Sequence, residues 1–252
     1  STLGFYLMWV LMGFGTAGIG LSVMHDANHG SYSRSQTVNN LVGYLFNFLG
    51  SYHINWKIQH NVLHHTYTNV DGLDEDIEAK VIRLSPDQER KPLFKFQAYY
   101  ASFFYAIMSI YWVVVKDFEQ LKRYNAAGLL KGQNTTYAKA LTYTLLIKAT
   151  YFSVLFALPI LFTDFAWYQV LLGWLLMHAV VGLTLSYIFQ LAHVLEETEF
   201  PAPAENNVMG NHWAIHQMRT TANFAHGNRI LSWYIGGLNY QIEHHLFPNI
   251  CH

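Results

Sequence analysis

His60-Asn61-Val62-Leu63-His64-His65 places three imidazoles within six residues. On an α-helix His60 and His64 lie one turn apart on one face, with His65 about 100° round from His64. Such a cluster can give ligands to two neighbouring metal ions, although one cluster alone reads equally well as separate surface or capping histidines. Two further clusters weigh against that plainer reading. His25-Asp26-Ala27-Asn28-His29 repeats the i, i+4 pair, and Gln241-Ile242-Glu243-His244-His245 repeats the adjacent pair.

The composition places these clusters in a membrane protein. Of 252 residues, 52% are hydrophobic and only 12% charged, about half the charge of an ordinary soluble domain. The length suits one domain, residues 1–252. A net charge of −1 gives no reason to expect a nucleic-acid partner. One cysteine, Cys251, excludes an intrachain disulfide framework and a cysteine-built zinc site. The first apolar run opens at Leu3 with no basic residue before it, so no signal peptide is expected. The abrupt ends suggest an excerpt of a longer protein.

Leu3 to Met24 carries no charge and as a helix is roughly 33 Å long, enough to span a bilayer. Its glycines Gly4, Gly13, Gly15 and Gly18, with Gly20 near its end, suit close helix packing. The run ends directly in His25, at a membrane surface. Val38 to Tyr52 is short and holds Asn39, Asn40 and Asn47, which predicts an interfacial helix returning the chain to the same surface. Three apolar runs follow the second cluster: Phe96–Val115, Ala140–Phe162 (interrupted by Lys148) and Phe165–Ala192. For the clusters to meet, an even number of these must cross. Lys91, Lys95, Lys116, Lys122 and Arg123 flank the first run, while the Thr163-Asp164 turn between the other two has no basic residue. The positive-inside rule then sets Phe96–Val115 in the interface and makes the other two a transmembrane hairpin. The predicted fold class is all-α: polytopic membrane helices, interfacial helices and a histidine-rich site facing the cytoplasm.

Seven histidines fall in the clusters: His25, His29, His60, His64, His65, His244 and His245. His193, at the end of the last long run, is a candidate eighth. A structural zinc takes four ligands, so this set fits two ions, and imidazole by itself suits iron, zinc, copper or nickel. Burying an unpartnered imidazole costs on the order of 1–3 kcal/mol, so seven would rival a whole domain's stability of about 5–15 kcal/mol. Metal binding, roughly 10–16 kcal/mol for a structural zinc, is large enough to offset that. Asp26 and Glu243 are candidates by position to hydrogen-bond the ligating imidazoles. The acidic stretch Asp71, Asp74, Glu75, Asp76 and Glu78 reads either as further such partners or as a solvated loop. No nucleophile elbow, phosphate loop or dinucleotide fingerprint occurs, so serine hydrolysis, phosphoryl transfer and bound NAD are unsupported. A membrane metal transporter or haem protein would need ligands within spans, where only His178 lies.

HDANH, HNVLHH and QIEHH, in that order and spacing, resemble the histidine boxes of the membrane fatty acid desaturases. The text around them matches too: His64-His65-Thr66-Tyr67-Thr68-Asn69, and Gly236-Gly237-Leu238-Asn239-Tyr240-Gln241 through Leu246-Phe247-Pro248. Gln241 in place of a histidine resembles the front-end subgroup, which includes the linoleoyl-CoA desaturases. The resemblance implies a non-haem enzyme with two Fe ions, using O₂ and two electrons to place a double bond in an acyl chain at carbon 5 or 6. It implies that the seven box histidines are iron ligands, that His193 is the additional one, and that Gln241 binds iron directly, through water or not at all. It further implies an acyl-CoA or acyl-lipid substrate and an integral location in a bacterial inner membrane or the endoplasmic reticulum. The family's usual upstream membrane helix and the haem motif of a fused cytochrome b5 domain are not found in this sequence. Electrons are therefore expected from ferredoxin, from cytochrome b5 with its reductase, or from a domain outside this excerpt. An alkyl hydroxylase or a sphingolipid desaturase would use the same ligands.

Overall fold

Phe5 stacks on Phe165 with ring centroids 3.9 Å apart, and this contact opens a seam between two long parallel helices. In the computed structural model, which describes residues 1–204 and 208–251, these are α1 (Thr2–His29) and α5 (Trp167–His193). Further along the seam a Cβ on Gly173 would meet the Trp9 indole at 2.3 Å, and one on Gly13 would meet the Met177 carbonyl at 2.8 Å. Partner numbers rise together on both helices, so both run the same way. His25, His29 and His193 consequently share one end of the bundle. Of the glycines expected to allow close packing, Gly13 does so here and Gly18 does so under Tyr234, whereas Gly15 faces open space.

Two other helices complete the set of four that are, among the described residues, long and apolar enough to cross a membrane: α3 (Pro92–Ala126) and α4 (Tyr137–Phe162). No strand occurs among those residues. Between α1 and α3 the second cluster lies on α2, a continuous stretch made of His53–Lys57, Ile58–His64 and His65–Tyr67. After α5 come the short helices α6 (Trp213–Thr220), α7 (Arg229–Tyr234) and α8 (Gln241–Leu246). The segment expected as one interfacial helix, Val38 to Tyr52, forms two pieces, Gln36–Gly43 and Leu45–Phe48, that leave Leu41 and Phe48 exposed.

The run placed in the interface by its basic flanks, Phe96–Val115, is part of α3 and does not lie apart from the bundle. It packs lengthwise and antiparallel on α5: Ser102 shares a hydrogen bond with Tyr187 (2.6 Å), and Ser109 with the His178 ring (2.9 Å). A π turn, Trp112–Lys116, interrupts it. Beyond that turn Gln120 reaches Gln59 and Arg123 pairs with Glu75, while at its other end Gln97 bonds the Arg83 backbone. Both ends of α3 thus contact the polar segment that follows the second cluster.

A buried ion pair ties α3, α4 and the approach to α2 together. Lys148 donates to Asp117 and to the Gly50 carbonyl (2.6 Å), and Asp117 also accepts from the Tyr52 backbone N–H (3.1 Å) and from Asn55. Removing one partner of such a pair strands the other charge. Lys148→Met is expected to lower stability by about 3–5 kcal/mol, read as a fall in thermal midpoint in detergent. Adding Asp117→Asn should recover much of the loss.

Candidate metal centre

The first cluster forms the last turns of α1, following a π turn at Ile19–Val23. The helix ends at Gly30, whose φ of 80° is easily reached without a Cβ. The second cluster lies in a π-helical segment, Ile58–His64, and this changes the pairing read from α periodicity. With i→i+5 bonding, His65 comes onto the face of His60, their Nε2 atoms 3.3 Å apart. His64 turns towards His193 and His245 instead, with ring centroids 4.7 and 5.0 Å away. The third cluster lies on α8 behind the Gly236-Gly237 turn, where φ is 66° and 81°.

All eight candidate histidines come together in overlapping groups, two of which hold seven of them, and a further one joins His60 and His64 with Asp76. His25, His29, His60 and His244 offer nitrogens that all lie within 4.8 Å of one another, and so do His64, His193 and His245. His65 joins the groups through His244 and His245. His25 Nε2 faces His60 Nε2 at 3.1 Å. Two nitrogens at 3.1–3.3 Å match the spacing of ligands on one ion with metal–nitrogen bonds of about 2.0–2.1 Å. His64 Nε2, His65 Nδ1 and His245 Nε2 are buried without a hydrogen-bond partner, a rare state for buried polar atoms unless a bound group satisfies them. The donor set therefore fits metal ions.

Hydrogen bonds on the outer nitrogens aim the rings inward. His25 Nδ1 bonds Asp26 (3.1 Å), His64 Nδ1 bonds Asp74 (2.9 Å), His193 Nδ1 bonds the Thr220 carbonyl (3.3 Å), and His245 Nδ1 donates to Gln217 Oε1 (2.8 Å). Such bonds fix tautomer and orientation. Burial, reinforced by the neighbouring imidazoles, holds His60, His65, His244 and His245 well below the ordinary histidine pKa. They stay neutral, as ligands must. At His64 burial acts in the same direction, but the Asp74 carboxylate, with Asp76 behind it, outweighs it and raises the pKa.

Of the two partners proposed by position, Asp26 contacts its histidine and Glu243 does not. Glu243 lies on the exposed side of α8 and accepts from Asn223 at 2.7 Å. Within the acidic stretch, Asp74 is fully buried and Asp76 lies 3.8 Å from His64 Nδ1, whereas Asp71 and Glu78 are exposed. Gln241 donates to the Leu238 carbonyl (2.7 Å) and contacts His193. Gln217 and Thr220, on α6, belong to no motif, and only folding reveals their roles. A cavity of about 1130 Å³ opens beside His25, His60, His64, His193 and His244 and continues between apolar residues that include Met24, Val181 and Leu185.

These features define a class: helical membrane proteins that gather histidines into a metal site at the end of an apolar cavity. Residues 1–252 match the family described as fatty acid desaturase, and the chain belongs to that family of oxidoreductases. It is 38% identical over 247 residues to an sn-1 linoleoyl-lipid 6-desaturase of Synechocystis, covering 96% of this chain and 67% of the relative. It is 33% identical to an acyl-lipid (8-3)-desaturase of Physcomitrium patens, covering 98% and 51%. With a Delta(5) fatty acid desaturase of Dictyostelium discoideum it shares 30% identity, covering 91% and 50%. The chain spans about two thirds of the length of the first and half the length of the others.

The hydrogen-bond pattern separates the two neighbouring carboxylates in an experiment. Asp74→Asn is expected to weaken metal binding about 10–100-fold, measured by metal content after dialysis against a graded chelator, with helical circular dichroism unchanged. Glu243→Gln should leave metal content within about two-fold of wild type, as an exposed group off the ligand shell would.

Proposed function

We propose that this chain is the catalytic part of a front-end acyl-lipid desaturase that introduces a double bond at carbon 5 or 6. The observation that carries the reading is the gathering of eight histidines into two groups at the head of an apolar cavity. His25, His29, His60 and His244 would hold one iron, and His64, His193 and His245 the other, with His65 between them. Gln241 would act on the second ion through His193. Bound iron with O₂ supplies the oxidising power that breaking an unactivated C–H bond requires. Overall, a –CH₂–CH₂– unit loses two hydrogens while O₂, two electrons and two protons become two waters. The electrons would come from ferredoxin, or from cytochrome b5 with its reductase.

A lipid-linked substrate is favoured over a CoA thioester on two grounds. Relatives carry the words linoleoyl-lipid and acyl-lipid in their names. The cavity is also lined by seven carboxylates (Asp71, Glu75, Asp76, Glu78, Asp87, Glu89, Glu119) against four cations (Lys80, Lys91, Lys116, Arg123), a poor match for the phosphates of CoA. The chain is an integral membrane protein. Its basic flanks and the uncharged-to-acidic Thr163-Asp164 turn favour a site on the cytoplasmic side, in a bacterial inner membrane or the endoplasmic reticulum.

The far end of the cavity supports a specific accommodation of the acyl chain. Ser109, Tyr151 and His178 line it, joined by hydrogen bonds from Trp174 Nε1 to Tyr151 Oη (2.9 Å), between Tyr151 Oη and His178 Nε2 (2.7 Å), and between His178 Nδ1 and Ser109 Oγ (2.9 Å). His178 lies fifteen residues before His193, roughly 22 Å along α5. This closed polar floor would stop the methyl end.

Expression of the full-length protein with an electron donor, followed by lipid profiling, tests the reading. A new double bond near the carboxyl end is expected; its absence from iron-loaded protein counts against desaturation, and a gain of oxygen points to hydroxylation. Tyr151→Ala, which opens the floor, is expected to raise use of longer acyl chains several-fold without moving the double bond counted from the carboxyl carbon, read by mass spectrometry of the products.

A further inference from the structure

Between α6 and the third histidine cluster the chain turns back against α1. On α7, Leu231 and Tyr234 face inward and pack with Leu21, Ile188 and Ile235. The Tyr234 hydroxyl donates to the Phe14 carbonyl at 2.7 Å, and a Cβ on Gly236 would strike Ser22 at 2.5 Å. Phe14 lies eleven residues before His25, on the order of 16 Å down the helix axis, within the uncharged run Leu3–Met24. A segment in contact with Phe14 through Ser22 therefore lies level with the apolar half of α1 nearest the histidines.

At that level Ile230 and Trp233 point outward, each 82% exposed. The adjacent face of α1 is also bare and apolar, with Leu7, Leu11 and Phe14 exposed. We propose that Arg229–Tyr234 is a membrane-interface helix whose Ile230 and Trp233 side chains insert among lipid acyl chains. The occupant of this surface is the bilayer. Three features favour it over a soluble partner: the continuity of the patch with the lipid-facing side of α1, its contact with Phe14, and the neighbouring Arg229, whose long side chain can keep its charge at headgroup level. Burying two large apolar side chains would fix the depth of the Gly236-Gly237 turn, and with it the height at which α8 presents His244 and His245. It would also leave this face of the third cluster unavailable to an electron donor.

The test uses the full-length protein with Cys251→Ser, so that a single introduced cysteine carries an environment-sensitive fluorophore. Ile230→Cys and Trp233→Cys are compared with Leu11→Cys on the span and Glu197→Cys in the polar loop, all in phosphatidylcholine vesicles containing lipids with a nitroxide high on the acyl chain. Emission at positions 230 and 233 is expected to fall by about half or more, as at position 11, and not at 197. Red-shifted, unquenched emission at 230 and 233 would mean water there. Blue-shifted, unquenched emission would mean that another part of the full-length protein covers them. Either result overturns the proposal. In parallel, the wild-type protein is photolysed with a diazirine-bearing phosphatidylcholine, which removes any effect of substitution on folding; label on residues 229–234 supports insertion, and its absence there with label on α1 overturns it.

Discussion

Imidazole nitrogens that crowd together in a buried space can satisfy one another only pairwise, one N–H to one bare nitrogen, and eight such rings leave nitrogens over. His25 Nε2 and His60 Nε2, 3.1 Å apart, can share one proton at most, and burial keeps His60 from taking up a second one. His64 Nε2 and His245 Nε2 have no partner at all. The apolar surroundings sharpen this deficit, since an unmet polar group costs most where the dielectric is low. Cationic metal between the rings removes it. The rest of the architecture serves to hold eight such rings in place in spite of their mutual indifference.

Three structural devices do the holding, and they act at different ranges. Parallel packing of α1 on α5 through Gly13 and Gly173 brings the first cluster and His193 to the same end. π-Helical geometry redistributes the second cluster locally, so one stretch of chain supplies both groups. The outer hydrogen bonds then set four of the rings: Asp26 and Asp74 with charge, Gln217 and Thr220 with neutral acceptors. Gln217 also binds the His65 carbonyl and Thr68. The second and third clusters are thereby locked together by a residue on α6, which belongs to neither.

The three clusters, the all-helical class and the place of His193 were legible because each rests on residue type and spacing, which the chain displays directly. Three of the four membrane-length helices were legible from apolar runs, whereas Phe96–Val115 was set in the interface by its basic flanks. What was not legible depended on departures from ideal periodicity or on contacts between distant segments. Nothing in Ile58–His64 announces a π helix, so the α spacing paired His60 with His64, which do stack at 5.2 Å, and missed the approach of His65 to His60. Glu243 was chosen for adjacency, yet on a helix adjacent residues diverge. The contact of α3 with α5 depends on Gly182, where a Cβ would meet the Tyr105 carbonyl at 2.2 Å, and a single glycine in a long apolar run carries no such message by itself.

The shape of the cavity bears on how a double bond is positioned. A chain pressed against the floor of Ser109, Tyr151 and His178 would be measured from its methyl end. A chain held at its head would be measured from its carboxyl end, with the methyl end free to stop anywhere above the floor. The floor is built as a limit and offers the acyl chain little to hold. The Trp174 N–H, the Tyr151 hydroxyl, both His178 ring nitrogens and Ser109 are already engaged with one another, and Ser109 also donates to the His178 carbonyl at 3.0 Å. An alkyl end has no polar group to exchange for those bonds. The proposed function assigns positional control to the other end, where charged residues of the 71–91 segment surround the cavity beside the histidines. Under the proposed function, the engaged floor limits the chain and the charged groups at the head are the ones offered to its carboxyl end.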